Sequence, residues 1–191
     1  MQNAQPTLTF KIADQPHEFA QIHRLNYETF TQEIPQHPAN DAGLLIDKFH
    51  AQNSYFICMD GPELVGMFAL RDQRPFSLDQ KLANLDSYLP PHKSVVEIRL
   101  LAVRPERRTP TVFRGLMQIG AAYVIEKGYD LAIMSGTVRQ SKLYRGFGFT
   151  PFGPLVGAEN AQFQPMYLTK DAFAQLRRES RALRQLAAPS S

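Results

Sequence analysis

SVVEIRLLAVRPERRTPTVFRGLMQIGAAYVIEKGYDLAIMSGTVRQSKLYRGFGF, Ser94 to Phe149, is the stretch whose reading decides the fold. Its first segment is β-branched and apolar, yet Glu97 and Arg99 fall on one face, because side chains two apart in a strand point the same way. An acid inside an otherwise apolar strand needs a partner or a task. After the basic turn, Phe113, Leu116, Met117, Gly120, Ala121, Val124 and Ile125 recur at helical spacing. Gly128 stops that helix. DLAIM reads as a second strand, SGT as a break, and Val138 to Arg145 as a short helix ending at Gly146. A strand, a crossover helix and a second strand imply a parallel pair.

Val103, Pro105 and Arg108 stand ahead of the long helix, and Leu143, Tyr144, Arg145, Gly146, Phe147, Gly148 and Phe149 close the stretch. This arrangement resembles the coenzyme-binding half of the GNAT superfamily of N-acyltransferases. The LYRGFGF run is the specific part, similar to the family's ending of LY, three residues and GF. The resemblance implies an α+β GNAT fold, a mixed, strongly twisted sheet flanked by helices, with a splayed site between central parallel strands. It implies acyl transfer from a thioester of coenzyme A (acetyl-CoA or a longer acyl-CoA) or acyl-phosphopantetheine of a carrier protein to a primary amine, with no metal.

Residue roles follow from the same resemblance. Amine acylation needs a proton removed from nitrogen, a stabilised tetrahedral oxyanion and a protonated leaving thiolate. Glu97 is the candidate base, its pKa expected to rise on an apolar strand, and an ion pair with Arg99 is the competing reading. Tyr144 is the candidate acid beside the thioester sulfur, or else a packed core aromatic. Backbone N–H groups at Leu101, Ala102 and Val103 serve the oxyanion and donor. The turn and helix start at Arg107, Arg108, Thr109, Thr111, Val112 and Arg114 face the donor phosphates, as a helix N-terminus does for any anion. Thr109, Pro110 and Thr111 replace the family's usual glycines, which weakens close phosphate approach. Thr137 takes the place of an asparagine that touches the pantetheine arm, although a helix N-cap explains it, and Ser135, equally well.

RLNYETFTQE, LIDKFHAQNSYFICMDG and the insertion DQRPFSLDQKLANLDSYLPPHK give a looser resemblance to the acyl-homoserine-lactone synthases and N-acyl amino acid synthases of the same superfamily. That resemblance covers Phe10 to Phe152. It fails at Asn26, Ala69 and Leu100, where arginines are expected, and at His50, where a second acid is expected. Those losses argue against S-adenosylmethionine as acceptor.

The limits agree with one soluble domain. The chain has 191 residues, 43% hydrophobic content and a net charge of +3, enough for a sizeable core. The single cysteine, Cys58, lies in the apolar run SYFICM, so no disulfide framework or cysteine metal site is expected and a reducing, cytoplasmic setting is implied. No run approaches a membrane span and no secretory leader is evident. Weak basicity without an aromatic ladder speaks against nucleic acid. His23, His37, His50 and His92 lack ligand spacing.

TLTFKIA reads as a first strand, and Pro16 opens a helix with Phe19, Ile22, His23, Asn26 and Phe30 on one stripe. Leu44 to Ala51 reads as a short helix, and SYFICMD with ELVGMFALR as a hairpin. In the insertion, Arg74, Phe76, Asp79, Asp86 and Tyr88 are candidate readers of the acceptor, weighed against a solvated loop. Two further strands finish the sheet. The acyltransferase domain is expected over residues 1–169 and an arginine-rich helix and tail over 170–191. That tail either docks on the body or meets an acidic partner, an acyl carrier protein or an adjacent catalytic domain. A catalytically silent module that binds acyl-pantetheine or a protein is the second functional reading.

Overall fold

The computed structural model describes residues 8–159, 161–176 and 178. Two compact units are distinguished, the first within residues 8–74 and 97–128, the second within 75–96 and 129–176. The part of the expected C-terminal helix that holds Arg177, Arg181, Arg184 and Ala187 lies outside the described residues; 170–176 are helical, with the Thr169 hydroxyl capping Ala172 N–H at 3.1 Å.

The first unit is built on an antiparallel sheet of β1 (Leu8–Ile12), β2 (Ser54–Asp60), β3 (Glu63–Arg71) and β4 (Val95–Val103), of which β4 enters at Glu97. β2 and β3 are apolar without alternation because both faces are covered. On one face Tyr55, Ile57, Met59, Met67 and Ala69 join Ile22, Leu25 and Phe30 in a single core. These last three come from α1 (Pro16–Tyr27) and the π-helical turn Glu28–Glu33 that continues it. Proline at the first turn and the Glu18 carboxylate, which accepts from the N–H groups of Asp14 and Gln15 at 3.0 and 3.2 Å, start α1. Such a capping box satisfies donors that a helix start leaves open.

α2 (Pro110–Glu126) covers the opposite face. A methyl group at Gly115 would lie 2.1 Å from Phe10 Cζ, and one at Gly120 2.4 Å from Phe68 Cζ. The glycines therefore admit the two rings, which rotates the buried face relative to the expected stripe. Val112, Gly115, Leu116 and Gly120 are buried, whereas Phe113, Met117, Ala121 and Val124 are half-buried and Ile125 is exposed. Phe56 stacks on Phe68 with centroids 4.9 Å apart.

In the second unit β5 (Leu131–Thr137) pairs antiparallel with β8 (Ala161–Thr169), and the short β6 (Thr150–Pro151) and β7 (Val156–Ala158) pair with β8. α3 (Ser141–Gly146) follows β5 after one 3₁₀ turn. SGT is thus the end of a strand, not a break; Gly136 stays extended and pairs with Gln164. The insertion is ordered by its own apolar anchors: Phe76, Leu78, Leu82 and Leu85 are buried. Asp79 accepts from Phe76 N–H at 2.7 Å. Phe76 and Asp79 thus order the loop from within. Leu44 to Ala51 is not a helix either; apart from a 3₁₀ turn at His50–Gln52 it is irregular, because its polar groups bond side chains of the site described next.

Candidate functional site

β4 carries the feature that organises the first unit's polar groups. Arg99 pairs with Ala69 and Ala102 with Met67, so Leu100 and Leu101 together oppose Phe68. Leu100 adopts φ +56°, left-handed backbone that costs a non-glycine residue about 1–2 kcal/mol. Bulges of this kind gather next to active sites, where they re-aim side chains and end pairing. Arg104 N–H donates to Val65 O at 3.0 Å. By the alternation of an antiparallel ladder, the N–H groups of Val103 and Leu101 then turn away from β3, while that of Ala102 turns toward it. Of the three predicted donors, Ala102 is thus committed to the ladder with β3.

Three residues before the bulge, Glu97 is 0% exposed. Its Oε2 lies 3.3 Å from Arg99 Nε. Arg99 also donates Nη1 to Asp47 Oδ2 at 2.5 Å and Nη2 to Asp47 Oδ1 at 3.0 Å. The guanidinium thus joins two buried carboxylates, and the expected Glu97–Arg99 ion pair exists. Burial pushes the Asp47 carboxyl up, but Arg99, Asn53 and the Phe49 N–H outweigh it and hold the group below its usual range. The Phe49 ring lies 4.7 Å from the Arg99 guanidinium and 3.9 Å from that of Arg71, itself buried and bonded to Gln52 Oε1 at 2.6 Å. Arginines are therefore present one and two positions from Leu100 and Ala69. Asn26 remains a departure: it is buried, and neither its amide nitrogen nor its oxygen has a partner among the described residues.

The turn before α2 differs from the expectation. Arg107 pairs with Asp60 at 2.5 Å. Arg108 forms a two-pronged contact with Glu33 and donates Nε to Val103 O at 3.0 Å. Val112 N–H is taken by the Thr109 hydroxyl at 3.3 Å, Phe113 N–H by Thr109 O at 3.2 Å, and Pro110 has no N–H. Two of the three predicted phosphate-binding arginines are thus neutralised, and few amides point outward. Arg114 is exposed.

In the second unit Tyr144 is 5% exposed, and burial pushes its phenol up to about 12. Its hydroxyl donates to Gln140 Oε1 at 2.8 Å, an oxygen that also accepts from Thr137 Oγ1 at 3.2 Å. A methyl group on Gly136 would lie 2.6 Å from Tyr144 Cε2, so the ring rests on bare backbone. Tyr144 and Thr137 therefore meet at Gln140, and Thr137 makes no side-chain cap to the following turn.

Residues 25–118 match the family model of the acetyltransferase (GNAT) domain. The chain has the fold of the GNAT acyltransferases. Among solved structures, it is similar to FeeM, an N-acyl amino acid synthase from uncultured soil microbes, at 20% identity and TM-score 0.68, covering 91% of this chain and 94% of that one. It is also similar to BjaI, a CoA-dependent acyl-homoserine lactone synthase with S-adenosylmethionine and isopentyl-CoA, at 17% identity and TM-score 0.71, covering 96% and 90%. LasI, an acyl-homoserine-lactone synthase, shares 17% identity at TM-score 0.70, covering 90% and 96%. No curated protein matches the chain by sequence. The described strands and the helices that flank them give the expected α+β class.

Among the described residues, no three His, Cys, Asp or Glu side chains come together as a metal site. No described helix is long and apolar enough to cross a membrane. Asp47, Asn53, Tyr55, Arg71 and Gln140 were missed by the sequence reading. Asp47 alone had a signal, since it occupies the Asp segment of the lactone-synthase order.

Proposed function

We propose that this protein moves an acyl group from a pantetheine thioester, carried by coenzyme A or an acyl carrier protein, to the primary amine of a small molecule. Glu97 takes the proton from the amine nitrogen as that nitrogen bonds to the thioester carbon; Val103 and Leu101 N–H groups hold the oxyanion; Tyr144 protonates sulfur as the C–S bond breaks. The observation that carries this reading is the buried Glu97 set just ahead of a strained bulge. FeeM and BjaI, which act as synthases of N-acyl amino acids and acyl-homoserine lactones, support a small amine as acceptor. The arginines at 71 and 99 offset two of the four departures that weighed against S-adenosylmethionine.

The depleted turn favours a donor held by its acyl chain and pantetheine more than by its phosphates. Coenzyme A itself is expected to bind weakly, with salt-sensitive affinity that drops in Arg114→Ala, because exposed side-chain charge is easily screened. Longer acyl thioesters gain about 0.8 kcal/mol per buried methylene while the pocket lasts. Calorimetry with coenzyme A, acetyl- and octanoyl-thioesters at two salt concentrations measures this. Tight, salt-insensitive coenzyme A binding with no gain from the longer chain would overturn it. Donor binding without amine-dependent thiol release from any amine would favour the silent binding module, the reading that the same turn supports.

A further inference from the structure

The polar chain that leaves Asp47 does not end at Asn53. Asn53 Nδ2 donates to Asp47 Oδ2 at 2.6 Å and lies 3.2 Å from the Tyr55 hydroxyl; that hydroxyl lies 3.1 Å from His50 Nδ1, which in turn lies 3.4 Å from His23 Nε2. The donor inventory gives these bonds one consistent sense. An amide nitrogen only donates, so the Tyr55 oxygen accepts from Asn53. Burial pushes the Tyr55 phenol up to about 12, so it keeps its one hydrogen, and His50 Nδ1 is the atom left to accept it. His50 Nδ1 is then a bare lone pair with its proton on Nε2, and His23 Nε2 is a donor.

A second proton on His50 places an N–H where that lone pair was. Tyr55 O–H can then no longer donate to His50; the phenol oxygen instead accepts from His50 Nδ1–H, and its own hydrogen must turn away. Tyr55 can turn its hydrogen only toward Asn53, whose Oδ1 is buried and has no partner. Turning the amide over to receive it sets that oxygen against the Asp47 carboxylate, at a contact that now measures 2.6 Å. Protonation of His50 therefore costs either the Tyr55 hydroxyl its acceptor or Asn53 its bond to Asp47.

Resting on the function proposed above, we infer that His50 is a positioning residue: while its Nδ1 is unprotonated it holds Asp47 through Tyr55 and Asn53, and through Asp47 it orients Arg99 and Glu97. The groups that face it are His23 and the apolar edge of Phe19 from α1, Tyr55 from β2, and, one contact further, Asp47 with Arg99 and Glu97 of β4. Burial, then the neighbouring His50, lowers the pKa of His23, which keeps that ring neutral as the chain requires.

The test pairs a pH–rate profile with NMR of the intact protein. Wild-type kcat/KM is expected to fall on acidification, roughly tenfold per pH unit on the acid side of a single midpoint. The Arg99 Nε–H resonance is expected to shift with that same midpoint, and ring ¹⁵N spectra at high pH to show His50 with hydrogen on Nε2. His50→Gln, whose amide oxygen can accept from Tyr55 at every pH, is expected to lower the rate at pH 8 only a few-fold and to erase both the acid limb and the Arg99 shift. A His50 that carries its neutral hydrogen on Nδ1, an Arg99 resonance indifferent to the His50 titration, or a His50→Gln profile that superimposes on wild type would each overturn the inference. The NMR readouts need no turnover, so a failure of the acyltransferase reading is seen separately.

Discussion

Tyr144→Phe lowers kcat roughly 10²- to 10⁴-fold, the usual contribution of a general acid or base, while donor binding persists. One hydroxyl is removed from a ring that stays packed edge-on to Phe149 at 6.4 Å and against Gly136. The lost hydrogen bond to Gln140 costs about 1 kcal/mol of stability. Because the phenol is pushed up to about 12 by burial, it is protonated at neutral pH and able to give its hydrogen to a thiolate. Gly136→Ala reaches a similar kcat by another route: the new methyl would lie 2.6 Å from Tyr144 Cε2, so the ring must shift and carry its hydroxyl away. Steady-state kinetics of both variants beside their melting temperatures are the check. Undiminished turnover in Tyr144→Phe removes this residue from the mechanism.

Arg99→Met destabilises the protein by about 3–5 kcal/mol, the cost of removing one partner from a buried ion pair. It leaves Glu97 and Asp47, with side chains 1% and 8% exposed, without the cation between them. For a chain of this size that is roughly a 10 °C fall in melting temperature. The pH dependence changes sign as well. In the wild type, Arg99 holds the Asp47 carboxyl below the usual carboxylate range, so the folded chain binds fewer protons than the unfolded one in that range. The resulting stabilisation is complete above about pH 4 and is lost as pH falls through the lowered value. In the variant, two buried carboxylates without a cation favour protonation, and stability rises on acidification from pH 7 toward 5. Melting curves across that range distinguish the two. A variant that melts like the wild type would mean that the carboxylates do not depend on Arg99.

The elements were legible because their periodicities are strong. The hairpin of β2 and β3, the strand holding Glu97, the long helix and the LYRGFGF helix all lie where the pattern puts them. What the sequence conceals is long-range pairing. Glu97 and Arg99 could be read as neighbours on one strand, but nothing local says that Asp47 closes on Arg99 from 52 residues away. Nor does a basic turn announce that Asp60 and Glu33 will claim Arg107 and Arg108. Leu44 to Ala51 has helical spacing, yet Asp47 and His50 bond to side chains of β4 and β2, and those bonds select an irregular backbone. The bulge at Leu100 was equally hidden, since left-handed backbone at a leucine has no signature in composition.

The claim on which the account rests is that Glu97 removes the proton from an amine attacking a thioester. It is tested most directly by following thiol release from an octanoyl thioester, with and without a panel of primary amines, for wild type and Glu97→Gln, with melting temperatures taken on the same samples. The account predicts amine-dependent release by the wild type that falls roughly 10²- to 10⁴-fold in the variant, far more than any change in stability explains. Wild-type rates from a variant that merely melts lower would contradict it, and would leave Glu97 as the structural partner of Arg99 alone.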